Sequence, residues 1–147
     1  MSRRPSSVPC FIGLALLLLA GCGGSKPSED VKLGGIALTE VLDGLMNRAN
    51  RTLSGINGLA AAEAAVPELQ AINDDFEDLR FHAPKLPEAG QNELAKRARG
   101  HQPQLEAMVQ AVRRSPALAS LLGTEMDRML EHLNMLMAPP YRAEDLS

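Results

Sequence analysis

Apolar side chains in this chain recur at intervals of three and four, the period of a helix face rather than of a strand. Leu38, Val41, Leu42, Leu45, Ala49, Leu53 and Ile56 form one such stripe, with Glu40, Asp43, Asn47, Asn50 and Arg51 opposite. This predicts a first helix from about Val31 or Ile36 to Leu53, stopped by Ser54-Gly55-Ile56-Asn57-Gly58. Ala62, Ala65, Leu69, Ile72, Phe76, Leu79 and Ala83 make a second stripe, from which Asp74, Asp75 and Asp78 are excluded. Pro67 lies inside that pattern, so the reading is a short Ala-rich turn followed by a main helix starting near Val66 and ending near Phe81.

A third helix is expected over about Pro87 to Arg113, with Leu94, Ala98, His101, Leu105, Met108 and Val112 in line and Val109 beside them. Gly100 and Pro103 should bend it, because an internal proline removes a hydrogen bond and clashes with the preceding turn. Ser115-Pro116 opens a fourth helix, a serine N-cap followed by proline at the first helical position. Its stripe is Leu118, Leu122, Met126, Met129, Leu130, Leu133 and Met137, with Gly123-Thr124 as a possible split. Ala138-Pro139-Pro140 ends it. The fold class that follows is all-α: a compact antiparallel bundle of about four helices over residues 31–138, with 139–147 as a polar C-terminal tail. Each stripe is about as wide as one buried face requires, which leaves no spare surface. Composition agrees. The chain is 45% hydrophobic but only 3% aromatic, without tryptophan, so good helix formers supply the apolar content and no alternating strand pattern occurs.

The first 22 residues follow another logic. Arg3 and Arg4 precede an apolar run from Phe11 to Ala20, about half the roughly 20 residues a membrane-spanning helix needs. A positive start, a short apolar core and small residues before a cut site predict a signal peptide over 1–21. Leu19-Ala20-Gly21-Cys22 resembles the lipobox of bacterial lipoproteins. That resemblance implies cleavage between Gly21 and Cys22 and a diacylglyceryl group on the Cys22 sulfur, often with acylation of the new amine. The partner so implied is the lipid bilayer, and the location is the cell envelope, facing the periplasm. Gly23 stands where some Gram-negative lipoproteins carry an inner-membrane retention aspartate, which favours the outer membrane. Residues 22–30 have linker composition.

Removing Arg3 and Arg4 takes the net charge from -3 to about -5, which argues against a nucleic-acid partner. Cys10 leaves with the signal peptide and Cys22 is consumed by lipid, so no disulfide is available. From Leu53 onward, Leu-Ser-Gly-Ile, Ala-Glu-Ala-Ala-Val-Pro-Glu-Leu and Lys-Leu-Pro-Glu-Ala-Gly resemble small Ala/Leu-rich helical modules of bacterial envelope proteins. The resemblance implies the fold and adds no chemistry. Pro67-Glu68-Leu69-Gln70-Ala71-Ile72 also echoes Pro103-Gln104-Leu105-Glu106-Ala107-Met108, which so Ala- and Leu-rich a chain produces by coincidence.

No nucleophile elbow, zinc-protease or phosphate-loop motif is present, so no catalytic residue and no cofactor is assigned. Three residues are weak metal or haem candidates. His101 sits mid-stripe where leucine is expected, as a ligand or as a core histidine bonded to a carbonyl freed by the Gly100/Pro103 irregularity. Met46 and His132 occupy the approximate places of the axial ligands in small periplasmic b-type cytochromes, though at the edges of their stripes. The Met126, Met129, His132, Met135, Met137 series offers ligands suited to Cu(I), but His132 and Met135 drift toward the wet side. Lys96, Arg97, Arg99, Arg113 and Arg114 read as an outer face salt-bridged to the acidic second helix, the alternative being a face that docks on anionic lipid or cell-wall polymer; a protein or cell-wall partner is left open. The resulting expectation is a membrane-anchored, non-enzymatic interaction or structural module. The alternative is a periplasmic metal- or haem-binding bundle.

Overall fold

The computed structural model describes residues 32–33 and 36–141. The signal peptide, Gly21, Cys22, the 22–30 tether and residues 142–147 lie outside the described residues. A two-residue antiparallel ladder comes first, β1 (Lys32–Leu33) with β2 (Ile36–Ala37), pairing Lys32 with Ala37 and Leu33 with Ile36. Four helices follow: α1 (Leu38–Ser54), α2 (Leu59–His82), α3 (Glu88–Arg113) and α4 (Pro116–Leu136), with a short 3-10 turn over Ala83–Lys85. The all-α bundle expected from the periodicity is present, and the helices run alternately up and down. The small ladder before α1 is an addition: Lys32–Leu33 and Ile36–Ala37 are extended, where the first helix was expected to start.

Both internal prolines are accommodated without a break. α2 runs through Pro67 from Leu59, not from Val66, and α3 runs through Pro103. Each proline forfeits one hydrogen bond to the carbonyl four residues earlier, those of Glu63 and Arg99. Pro67, Pro103, Glu63 and Arg99 are all exposed, so water can satisfy those carbonyls. α4 is likewise continuous across Gly123-Thr124. Ser115 does occupy the N-cap of α4, but its hydroxyl makes no capping bond; its carbonyl accepts from Ala119 N–H at 2.9 Å.

The neighbours in the bundle are α1 with α2, α1 with α3, α2 with α4, and α3 with α4. Two helical hairpins, α1–α2 and α3–α4, are therefore stacked side by side, with α1 diagonal to α4 and α2 diagonal to α3. Asn73 meets Glu125 and Arg80 meets His132. Seven residues on α2 match seven on α4, so those two helices lie together and point the same way. Only the link from α2 to α3 crosses the diagonal, about 14 Å for helices about 10 Å apart, and residues 83–87 are long enough for that.

The core is one continuous cluster in which Phe76, Leu42, Leu69, Ile72, Leu94, Leu105, Leu122, Met126 and Leu133 are fully buried. Every residue of the predicted second stripe is buried. Tyr141, assigned by sequence to the polar tail, instead folds back. Its hydroxyl donates to Leu136 O at 2.6 Å, with Gln91 O at 3.2 Å, and its N–H donates to Gln91 Oε1 at 3.1 Å. Gln91 Nε2 in turn donates to Leu86 O at 3.0 Å, so one glutamine ties the diagonal link to the C-terminal segment. Burial pushes the Tyr141 phenol up to about 12. Among the described residues no helix is long and apolar enough to cross a membrane.

Candidate functional site

Polar side chains converge at two seams of the bundle. The first lies between the parallel helices α1 and α3. Asp43, on the α1 flank toward α3, accepts from Arg97 through Oδ2 at 3.0 Å and meets His101 Nε2 through Oδ1 at 2.7 Å. Arg97 also reaches Glu93 at 3.7 Å. With Asn47, Lys96 and Gly100 these residues line an open groove of about 590 Å³. His101 is thus neither in the core nor bonded to a freed backbone carbonyl. Its side chain is 24% exposed and its partner is a carboxylate. Arg97 and His101 lie one turn apart on α3, and both reach Asp43, which faces α3 from α1. Both Asp43 oxygens are engaged, and the groove lining contains no hydroxyl or thiol nucleophile. The arrangement joins two helices electrostatically. Since all its members are partly exposed, it contributes modestly to stability.

The second seam lies between α2 and α4 and is buried. Asn73, with no exposed surface, donates through Nδ2 to Glu125 Oε2 at 2.8 Å and to Glu125 O at 3.0 Å. Arg128 reaches the same carboxylate oxygen at 3.5 Å. Two turns further, Arg80 Nη1 lies 2.8 Å from His132 Nδ1, and Phe76 stacks on the imidazole at 6.0 Å and 7°. His132, expected toward the wet side, is only 7% exposed. α4 packs on both α2 and α3, so its buried sector is wide enough to include residue 132 along with Met129, Leu133 and Leu136.

The chemistry of this pair fixes the tautomer. A guanidinium can only donate, so Nδ1 accepts and the ring proton sits on Nε2. Burial first, then the charges of Arg80 and Arg128, hold the imidazole down at about 4, with Glu131 opposing. His132 is therefore neutral at ordinary pH, with one lone pair given to Arg80 and a proton on the other nitrogen. Neither nitrogen offers a lone pair to a metal. Met46 is in the core at 2% exposure, not at a stripe edge, on a helix diagonal to that of His132. His132 Nε2 and Asn73 Oδ1 have no hydrogen-bond partner among the described residues. No known protein family, characterised protein or solved structure matches the chain.

The methionine series divides between environments as its periodicity implies. Met126 and Met129 are fully buried, Met137 packs against the core edge and Met135 is 40% exposed, so the five residues do not converge. Among the described residues no group of three His, Cys, Asp or Glu could hold a metal ion. The basic residues of α3 are also differently engaged than expected. α2 is diagonal to α3, so the acidic second helix is out of their reach. Arg97 instead pairs with Asp43 on α1, Arg99 donates to Met137 O at 2.7 Å, and Arg113 pairs with Asp127 on α4. The acidic α2 face has its own cation: Arg48 on α1 bridges Glu68 and Asp75. Asn73 gave no sequence signal beyond being polar next to Ile72. Arg80 gave none.

Proposed function

We propose that this protein is an envelope lipoprotein, anchored in a bilayer through acyl chains on Cys22, whose helical bundle serves as a non-enzymatic interaction or structural module. The observation that carries the reading is Leu19-Ala20-Gly21-Cys22 at the end of a ten-residue apolar run headed by Arg3 and Arg4. One buried chain gives marginal membrane binding, whereas two or three on one residue hold a protein firmly. The bundle's side chains support the second half of the reading. Its two polar seams consist of groups that bind one another, Asp43 with Arg97 and His101, and Asn73 with Glu125. These contacts hold neighbouring helices together, α1 to α3 and α2 to α4.

The test is metabolic labelling with a fatty acid in a bacterial host that processes lipoproteins. Wild-type chain should incorporate label and shorten by the first 21 residues, while Cys22→Ala should remain an unlabelled precursor. Wild-type protein that takes up no label would overturn the anchor.

A further inference from the structure

We propose that the bundle end nearest the anchor docks directly on the phospholipid surface through Ile36, Phe81 and Met135, a step that rests on the anchor reading above. These three are among the large apolar side chains left exposed in the described residues, at 51%, 59% and 40%. They come from three different elements. Ile36 precedes the first turn of α1, Phe81 is in the last turn of α2, and Met135 is in the last turn of α4. Because the helices alternate in direction, these positions fall at one end of the molecule. It is the end where the chain enters from Cys22.

Nine residues lie between Cys22 and Lys32, so the span is at most about 35 Å of fully extended chain. The 24 residues of α2 are about 36 Å long. A tether of that reach cannot bring the opposite end, with Leu59 and Leu121, onto the bilayer unless it is stretched to its limit along the whole body. The near end meets the surface without any stretching. Covalent attachment there also keeps the local lipid concentration high, so weak contacts suffice for docking.

The chemistry around Phe81 suits the interface between headgroups and acyl chains. Lys85 Nζ lies 4.2 Å from the centre of the Phe81 ring, and His82 packs edge-on against the ring at 5.3 Å. An aromatic ring seated at headgroup level, with a lysine beside it reaching for phosphate, is a familiar interfacial arrangement. Lys32 adds a second exposed cation, while Glu40, Asp78, Glu88 and Glu131 are exposed acids around the same end, so net charge does not drive the approach. The apolar contacts therefore carry the docking, and the lysines locate it at the phosphates.

The absence of tryptophan from the whole chain supplies the reporter. Phe81→Trp, Met135→Trp and, at the far end, Leu121→Trp are each made in the full chain, processed in a bacterial host, and reconstituted into phosphatidylethanolamine/phosphatidylglycerol vesicles with and without brominated acyl chains. Vesicle flotation reads the anchor, and indole quenching reads the docking. The expected result is flotation of all three, with blue-shifted and several-fold stronger quenched emission for Phe81→Trp and Met135→Trp than for Leu121→Trp. Flotation with all three indoles equally unquenched overturns the docking and leaves the anchor standing. Failure to float overturns both.

Discussion

Replacing His132 with glutamine isolates the energetic role of the α2–α4 seam. Glutamine does not titrate, yet its side-chain carbonyl can still accept from Arg80. In the wild-type protein the imidazole is held at about 4, against an ordinary 6.5 in the unfolded chain. Between those values the unfolded chain binds more protons than the folded one. Stability contributed by the neutral ring is therefore complete above about pH 7.5, declines as pH falls through 6.5, and is exhausted below about 4. At 1.36 kcal/mol per unit, the whole loss is about 3 kcal/mol, of which about 2 kcal/mol has gone by pH 5. Urea midpoints of a chain beginning at Ser25, measured at pH 8, 6.5 and 5, read this directly provided the slope stays constant. His132→Gln should lose about 2 kcal/mol less than wild type between pH 8 and pH 5. Carboxylates titrating in that range act on both proteins and cancel in the difference. Parallel pH dependences for the two would falsify the buried neutral histidine.

Other substitutions separate the core from its polar attachments. Phe76→Ala should cost about 3–5 kcal/mol, and Leu69→Ala and Leu133→Ala about 2–5 kcal/mol each, since all three side chains are fully buried; thermal and urea unfolding check this, and a neutral result at any of them contradicts the packing. Asn73→Asp places a second carboxylate against that of Glu125 in a buried site, and should lower stability by about 3 kcal/mol or more at pH 7.5, read from urea midpoints. Arg48→Ala removes a half-exposed cation from Glu68 and Asp75 and should cost no more than about 1 kcal/mol, diminishing in salt. Tyr141→Phe should cost about 1 kcal/mol at neutral pH. Because the Tyr141 phenol is pushed up to about 12, wild type should also lose stability as pH rises from 10 toward 12, and Tyr141→Phe should lack that contribution.

What was legible in the chain was whatever a single helix dictates. The stripes of α1 and α2 predicted the buried residues closely, because a three-four repeat of Leu, Ala and Ile needs no knowledge of neighbours. Pro67 misled, because α2 begins at Leu59 and not near Val66. Pro67 and Pro103 each cost a hydrogen bond, but at exposed positions of long, well-packed helices that loss does not end the helix. Histidines misled in the opposite sense. His101 sits mid-stripe yet lies at a seam, because Asp43 of α1 meets it there; His132 sits off-stripe yet is buried, because α4 has two packing partners. Both outcomes depend on which helices become neighbours, and periodicity within one helix does not encode that.

The choice of neighbours itself has a physical signature in the α2–α4 seam. Apolar stripes of Leu, Ala and Met would pack acceptably with α2 and α4 on a diagonal and α2 beside α3, the arrangement that sequence order alone suggests. In that alternative Asn73 would keep its burial and lose Glu125, and the buried His132 would lose the donor at Arg80. Each unpaired buried polar group costs about 1–3 kcal/mol, and more where it is charged. The two pairs are one heptad apart on both helices, so sliding α4 by a turn breaks both together. Apolar burial thus supplies most of the driving force for collapse, while Asn73–Glu125 and Arg80–His132 select one pairing and one register. That division also accounts for the tolerance of two imperfectly satisfied atoms, Asn73 Oδ1 and His132 Nε2. Their cost falls on a seam whose competitors would leave still more polar groups unpaired.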